Sequence, residues 1–379
     1  MAEKININQP PAKSILVAPL DWGLGHTTRC IPIIKELCQK GCRVIVAGTQ
    51  TQVVLLKSEF PGLQFIDLPG YNIKYGSNGS KTILALIRQI PAIKRAIRQE
   101  NDWLKKIVIE EKLDAVISDN RFGLHHPAIP SVFLTHQLSI QTPFGQAIAP
   151  FIRAMNYRHI EKFSACWIPD FPGQHNLAGK LSHPKKMPGC PTHYVGPLSR
   201  FTSSLNQEEK NRLLILLSGP EPQRSIFEKI IIESLSHHRG SATVVRGVPG
   251  SPTLIPSTGN LTFYNHLPTP ELKTEIEKAA WIISRSGYST IMDLSILQKK
   301  SILVPTPGQS EQVYLAKYLF AKKFAFTTAQ NGFSIEKSLE EAGKFPYRFD
   351  ETSVNHLLSD ALDGLLETIK HPQSNLAFG

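Results

Sequence analysis

The feature that most restricts the fold is an alternation, run twice, of short apolar β-like runs with amphipathic helical stretches. Apolar runs at 14–19, 43–48, 63–67, 114–118, 131–135 and 165–168 are separated by segments of helical periodicity, clearest at 26–40 and 80–110. The series restarts at Arg212–Leu217 and continues through 242–246, 260–264, 281–284, 301–305 and 324–327. Strands that alternate with helices form parallel sheets covered on both faces. Two such series predict an α/β chain of two doubly wound domains, the first over residues 1–197 and the second over 198–379. The polar stretch Gly196–Lys210 marks the join. The last helical segment, Ser353–Ile369, is placed to cross back to the first domain. Open α/β sheets bind ligands beyond the carboxyl ends of their strands, so the site is expected in the cleft between the two domains.

Composition narrows the function classes. With 379 residues, 41% hydrophobic and 19% charged, both domains can bury a core. No apolar run approaches the 18 to 20 residues of a membrane span. The polar segment Met1–Gln9 is followed by a run, Ile15–Leu20, too short for a signal-peptide core, so a cytoplasmic location is expected. Five cysteines (Cys30, Cys38, Cys42, Cys166, Cys190) lack C-x-x-C or zinc-site spacing and read as reduced thiols. The histidine pairs His125–His126 and His237–His238 point different ways on regular elements, which makes them poor metal ligands; no metal is expected. Net charge is +11, and residues 1–197 carry 23 Lys+Arg against 13 Asp+Glu, while 198–379 carry 19 against 18. A basic half suits an anionic substrate or membrane surface. No helix-turn-helix, zinc or RNA-stacking signature accompanies it, so nucleic acid is not an expected partner.

Two motifs carry the chemistry. Asp21-Trp-Gly-Leu-Gly-His26-Thr-Thr-Arg29 follows the first strand and opens a helix. Gly23 and Gly25 allow a tight turn and close approach of a ligand, but Thr28 stands where a dinucleotide fingerprint needs its third glycine. The helix N-terminus disfavours an imidazolium at His26, which suits a general base; a helix-capping or packing histidine is the alternative. In the second half, Ile283-Ser-Arg-Ser-Gly-Tyr-Ser-Thr-Ile-Met-Asp293 and Ser301-Ile-Leu-Val-Pro-Thr-Pro-Gly-Gln-Ser-Glu-Gln312 read as successive strand–turn–helix units. Ser286, Gly287 and the amides through Ser289 and Thr290 form a positive helix end suited to diphosphate.

These residues resemble glycosyltransferase family 28 of the GT-B fold, whose familiar member transfers N-acetylglucosamine to the lipid-linked peptidoglycan precursor. The resemblance implies two Rossmann-like domains facing across a cleft. It implies inverting, metal-independent transfer of a hexose or N-acetylhexosamine from a nucleotide diphosphate sugar, a UDP-sugar by preference, to a hydroxyl acceptor, with a lipid-linked acceptor among the candidates. The donor is then a co-substrate and no cofactor is called for; the D-x-D motif of metal-dependent transferases of the other main fold is absent. His26 would be the base and Asp119, just beyond the run 114–118, the carboxylate that orients it, with a helix cap as the alternative role for Asp119. Arg285, Ser286, Gly287, Ser289 and Thr290 would hold the diphosphate. Asp293, where the family has glutamate, would meet ribose hydroxyls, and Gln312 the transferred sugar. Softer correspondences are Ser218, Gly219 and Arg224 in a phosphate loop from which Pro220 removes one amide, Arg200 near the donor, and His266 with Leu267 beside the base. Leu134-Thr-His-Gln137 departs from the family's H-E-Q-N segment, so no acceptor residues are transferred to this chain.

Residues 81–98 place Ile83, Leu86, Ile87, Ile90, Ile93 and Ile97 on one helical face and Lys81, Arg88, Arg95 and Arg98 on the other, with Pro91 expected to kink the helix. A membrane-surface helix and a core-packed helix with a solvated basic face both have this pattern. With the charge asymmetry, it raises peripheral contact with the inner face of a membrane. Two other functions share the motifs: a UDP-sugar 2-epimerase on the same fold, and a non-catalytic sugar-nucleotide-binding partner of a membrane enzyme.

Overall fold

The computed structural model describes residues 12–71, 79–141, 149–202, 208–349 and 356–370, without the side chains of 79–88, 90 and 370. The first series of elements is β1 (Ser14–Pro19), α1 (Leu24–Gln39), β2 (Arg43–Gly48), α2 (Gln50–Glu59), β3 (Gln64–Asp67), α3 (Gly79–Glu110), β4 (Ala115–Asp119), β5 (Ser131–Leu134), α4 (Ala149–Ile160), β6 (Ala165–Ile168) and β7 (Thr192–Tyr194). The second is β8 (Leu213–Leu216), α5 (Gln223–Leu235), β9 (Ala242–Val245), β10 (Leu261–Tyr264), α6 (Thr269–Lys278), β11 (Trp281–Ser284), α7 (Tyr288–Leu297), β12 (Ser301–Leu303), α8 (Ser310–Ala321), β13 (Phe326–Thr327), α9 (Ile335–Gly343) and α10 (Leu357–Lys370).

Both sheets are parallel throughout, in the orders β3-β2-β1-β4-β5-β6-β7 and β10-β9-β8-β11-β12-β13. The physical reason is legible in β1, whose six residues are all buried because helices cover both its faces. Ile15 and Val17 meet Ile33, Ile34 and Leu37 of α1, while Leu16 and Ala18 meet Leu104 and Ile107 of α3. In the second sheet, Ile215, Ile283 and Ile302 pack on Phe227 and Ile231 of α5, and Leu214, Ile282 and Leu303 turn to Ile291 and Leu294 of α7. Period-2 alternation thus divides each buried strand between two layers.

The order of strands reverses at β1/β4 in one sheet and at β8/β11 in the other, and at these switch points adjacent strands send their connections to opposite faces. Register brings Pro19 beside Asp119, and Leu216 beside Ser284, so the carboxyl ends at each switch point are level. The two lobes meet there. Tyr288 of α7 donates its hydroxyl to the Pro169 carbonyl at 2.8 Å, and α1 packs against α7. After α9 the chain returns to the first lobe: Lys40, which caps the end of α1, donates to Ser359 Oγ at 2.9 Å and Asp363 Oδ1 at 2.7 Å, and Leu362 and Leu365 of α10 join its core.

Helix α3 runs unbroken through Pro91. Of the amphipathic segment, the side chains of Lys81, Ile83, Leu86, Ile87, Arg88 and Ile90 lie outside the described residues; Ile93 and Ile97 are half-buried, and Lys94, Arg95 and Arg98 are exposed. Among the described residues no helix is long and apolar enough to cross a membrane.

Candidate active site

The first half of the site is built on the turn after β1. Gly23 adopts φ 90°, a conformation that L side chains rarely take, and it starts α1 with no side chain capping the helix. His26 stands in the first turn of α1, and its Nδ1 lies 3.0 Å from Oδ2 of Asp119, the last residue of β4. Asp119 is fully buried. Arg29, one turn further along α1 and also buried, donates Nε to Asp119 Oδ2 at 2.8 Å and Nη2 to Oδ1. Burial pushes the Asp119 carboxyl up, but Arg29 and His26 outweigh it and hold the group below the usual carboxylate range. The adjoining Cys30 thiol, 3.9 Å from Asp119 Oδ2, is pushed well up by burial and by that carboxylate, so it is an inert thiol.

A polar chain continues from Arg29 into the second lobe. Arg29 Nη1 is 3.4 Å from His136 Nδ1, and His136 Nε2 is 2.7 Å from Oε1 of Glu311 on α8. Gln137 donates to the other Glu311 oxygen at 2.5 Å. The His136 ring stacks on Tyr288 with centroids 4.0 Å apart. Burial holds the His136 imidazole below its ordinary value in spite of Glu311, whereas burial pushes the Glu311 carboxyl up and His136, His26 and Arg29 bring it below the usual range. None of Arg29, His136, Gln137 and Glu311 was among the residues expected from sequence. The available signals were local: Arg29 shares a helix face with His26 at i+3, His136 follows the carboxyl end of β5, and Glu311 precedes Gln312.

The second half surrounds the N-terminus of α7. Gly287 caps this helix with no side-chain hydrogen bond, and among the described residues no side chain is bonded to its first amides. Ser286 Oγ donates to the Gln312 carbonyl at 2.9 Å, and the Gln312 side chain bridges Thr306 N at 2.9 Å and Gln309 Oε1 at 2.7 Å. Ser289 Oγ donates to the Gly25 carbonyl at 2.8 Å, which joins the two glycine turns across the lobes. Thr290 beside it is half-buried.

Arg285 is 1% exposed and has no carboxylate among its hydrogen-bond partners: it donates to the carbonyls of Val304 at 3.2 Å and Gln223 at 3.0 Å and to Gln330 Oε1 at 2.6 Å, with its guanidinium 4.1 Å from the Phe227 ring centroid. Burial lowers it to about 10. It therefore remains charged at neutral pH, with no carboxylate bonded to it among the described residues.

The remaining expected residues are more scattered. Ser218 and Gly219 are exposed beyond β8, with Gly219 at φ 106°. Arg224 is engaged within its own lobe, 2.6 Å from Glu221 Oε1 and 3.3 Å from Glu228 Oε1. Arg200 donates to Thr269 Oγ1 at 3.3 Å and lies over the Phe201 ring. Asp293 accepts from Ser199 Oγ at 2.6 Å, and burial pushes its carboxyl up to about 6. His266 is half-buried, its imidazole lowered by burial and by Arg200, and Leu267 is buried. The structure thus brings together His26, Asp119, Gly25 and Ser289, and separately Ser286 and Gln312, while the Arg285 side chain turns to Gln223, Val304 and Gln330. The Asp293 and Arg224 side chains are held by protein partners.

Residues 263–353 match the glycosyltransferase family 28 C-terminal domain. An uncharacterised glycosyltransferase of Methanosarcina acetivorans is 25% identical over 310 residues, covering 76% of this chain and 79% of the relative. A second, from Methanosarcina mazei, is 23% identical over 314 residues, with the same two coverages. Among solved structures, the glycotransferase of kitacinnamycin superposes with TM-score 0.62 at 13% identity over 95% of this chain and 96% of that one. UGT89C1 of Arabidopsis thaliana, complexed with UDP-L-rhamnose, gives 0.58 at 13% over 96% of each chain, and MurG of Acinetobacter baumannii 0.53 at 14% over 94% and 100%. Two parallel sheets meeting at their switch points, the family 28 domain over residues 263–353 and the two Methanosarcina relatives converge on one conclusion: the chain is a glycosyltransferase of the GT-B fold, similar to family 28 over its second lobe.

Proposed function

We propose that the protein transfers a sugar from a nucleotide diphosphate donor by direct displacement, with His26 as the base. The observation that carries this reading is the Ser289–Gly25 hydrogen bond of 2.8 Å, which sets the uncapped end of α7 against the turn that presents His26. His26 Nε2 takes the proton of an acceptor hydroxyl while Nδ1–H donates to Asp119. The acceptor oxygen forms its bond to the anomeric carbon as the bond from that carbon to the diphosphate breaks, and the bonding pair leaves with the diphosphate. One displacement inverts the anomeric configuration. The first amides of α7 and the positive charge of Arg285 favour the leaving diphosphate, the role a metal cation plays in other transferases.

UDP-sugars are the first donors to test, since a structural neighbour was crystallised with UDP-L-rhamnose. The acceptor we favour is anionic and lipid-linked. Lys94, Arg95 and Arg98 are exposed on α3, and Lys94 is near enough to act electrostatically on His159 of α4, the helix on which Phe151 is 68% and Met155 43% exposed with Arg158 exposed on the same helix. Cations around protruding apolar side chains are the chemistry of a peripheral membrane surface.

A thermal-shift screen of nucleotide sugars tests the donor, because a ligand bound only by the folded state raises its melting temperature. Wild type and His26→Ala should both be stabilised by the same UDP-sugar, with turnover lost only in His26→Ala. Absence of stabilisation by every nucleotide sugar would refute the reading.

A further inference from the structure

Arg29 has no part in the displacement just described, yet it touches both members of the proposed dyad. It lies at i+3 from His26 on α1, is fully buried, and reaches both Asp119 oxygens through Nε and Nη2. The same Nη2 is 2.9 Å from His26 Nδ1, the nitrogen that lies 3.0 Å from Asp119 Oδ2.

These distances describe a competition. A neutral imidazole nitrogen either carries a hydrogen or offers a lone pair, never both. If Nδ1 carries the hydrogen, it donates to Asp119 and leaves Nε2 free to take a proton from an acceptor. If Nδ1 is bare, it accepts from Arg29, the hydrogen sits on Nε2, and that nitrogen cannot act as a base. An ionised, correctly turned Asp119 decides for the first state, and the two-point grip of the Arg29 guanidinium supplies both the charge and the orientation.

We propose that Arg29 is a positioning residue for the dyad: it fixes the Asp119 carboxylate so that His26 carries its hydrogen on Nδ1, and its charge sets the pH at which the His26–Asp119 pair takes up a proton. The inference rests on the base reading for its catalytic meaning, but its physical content can be tested without it. Among the described residues, the other titratable groups facing the pair are Cys30 on α1, His136 beyond β5 and Glu311 of α8. Glu311 is the one further carboxylate, and it favours protonation of the pair; Arg29 opposes it from the nearer position.

The test is a histidine-side-chain NMR titration of the full chain, with the His26 resonances identified by their loss in His26→Gln. In wild type at neutral pH, the His26 nitrogens should show the Nδ1–H tautomer. In Arg29→Gln, removal of a cation in contact with the pair should raise its protonation midpoint by roughly one unit or more. Arg29→Lys keeps the charge and loses the fork, so its midpoint should stay near wild type. A merely structural counter-ion would predict a lower melting temperature in both variants with no such ordering of midpoints. An Nε2–H tautomer in wild type overturns the proposal, as does an unmoved midpoint in Arg29→Gln. If Arg29→Gln does not fold, the wild-type tautomer and the Arg29→Lys midpoint decide, and a Lys variant displaced as far as one unit counts against. Turnover of His26→Ala is a separate question: retained turnover removes His26 as the base and leaves the coupling to Arg29 as measured.

Discussion

Glu311 Oε1 lies 2.7 Å from His136 Nε2, so a carboxylate of the second lobe is held by an imidazole of the first, next to the proposed dyad. Each group has an altered proton affinity, and the signs can be worked out. The Glu311 carboxyl is lowered, so its contribution to stability is complete above the ordinary value of 4.5 and is lost as pH falls through the lower folded value. The His136 imidazole is also lowered, so the unfolded chain binds the proton more readily and stability falls as pH drops below 6.5. Melting temperature measured from pH 7 to 3 should therefore decline in two stages. Glu311→Gln should flatten the lower stage and His136→Gln the upper. Parallel curves for wild type and both variants would contradict the assignment.

Arg285 is expected to act on the donor's diphosphate rather than on the fold alone. Its carbonyl partners orient it without neutralising it, so an arriving anion meets the whole charge. Arg285→Met should weaken UDP binding by about tenfold or more, and Arg285→Lys by less, because a lysine retains the charge but not the planar donor set. Calorimetric titration with UDP measures both. Unchanged UDP affinity in Arg285→Met would remove Arg285 from the donor site.

Gly25 is predicted to be a point of contact between the lobes where no methyl fits. A Cβ built there would sit 2.8 Å from Ser289 Oγ and 3.2 Å from Ser289 Cβ. The backbone angle itself is one an alanine accepts, so the cost is steric. Gly25→Ala should lower the melting temperature, and adding Ser289→Gly should recover part of the loss, with a coupling of roughly 0.5–3 kcal/mol in the double-mutant cycle. Strict additivity of the two substitutions would show that the contact carries no energy.

Asp293 offers a prediction of opposite sign to Glu311. Burial raises its carboxyl to about 6, so the folded chain holds this proton more tightly than the unfolded one. The resulting penalty is absent below the ordinary value of 3.8, grows as pH rises, and is complete above about 6. Asparagine keeps an acceptor for the Ser199 hydroxyl without the ionisation. Asp293→Asn should melt higher than wild type at pH 7 and level with it near pH 3.5, while its donor affinity falls if the carboxylate also meets ribose. A lower melting temperature at pH 7 would reverse the sign of this argument.

Most strands were legible because they are buried on both faces, and continuous apolar runs such as Ser14–Pro19 and Leu213–Leu216 leave no other reading. Thr192–Tyr194 was not, since three half-exposed or exposed residues on a sheet edge carry neither a run nor an alternation. Among site residues, His26 stood out through its glycine turn and Arg285 through the turn that follows β11. Arg29, His136 and Glu311 did not stand out, because their meaning depends on α1, the segment after β5 and α8 meeting where the two lobes face each other. The pairing of Asp293 with Ser199 was hidden for a related reason: 94 residues separate them, and no local pattern records such a distance.

Helix α10 seals its end of the chain onto α1 through Leu362, Leu365 and Lys40. The polypeptide therefore travels outward once, after β7, and homeward once, after α9. Any separation of the lobes must break the hydrogen bond from Ser289 to the Gly25 carbonyl, so the contact that sets the helix end against the glycine turn is lost and remade whenever the cleft opens.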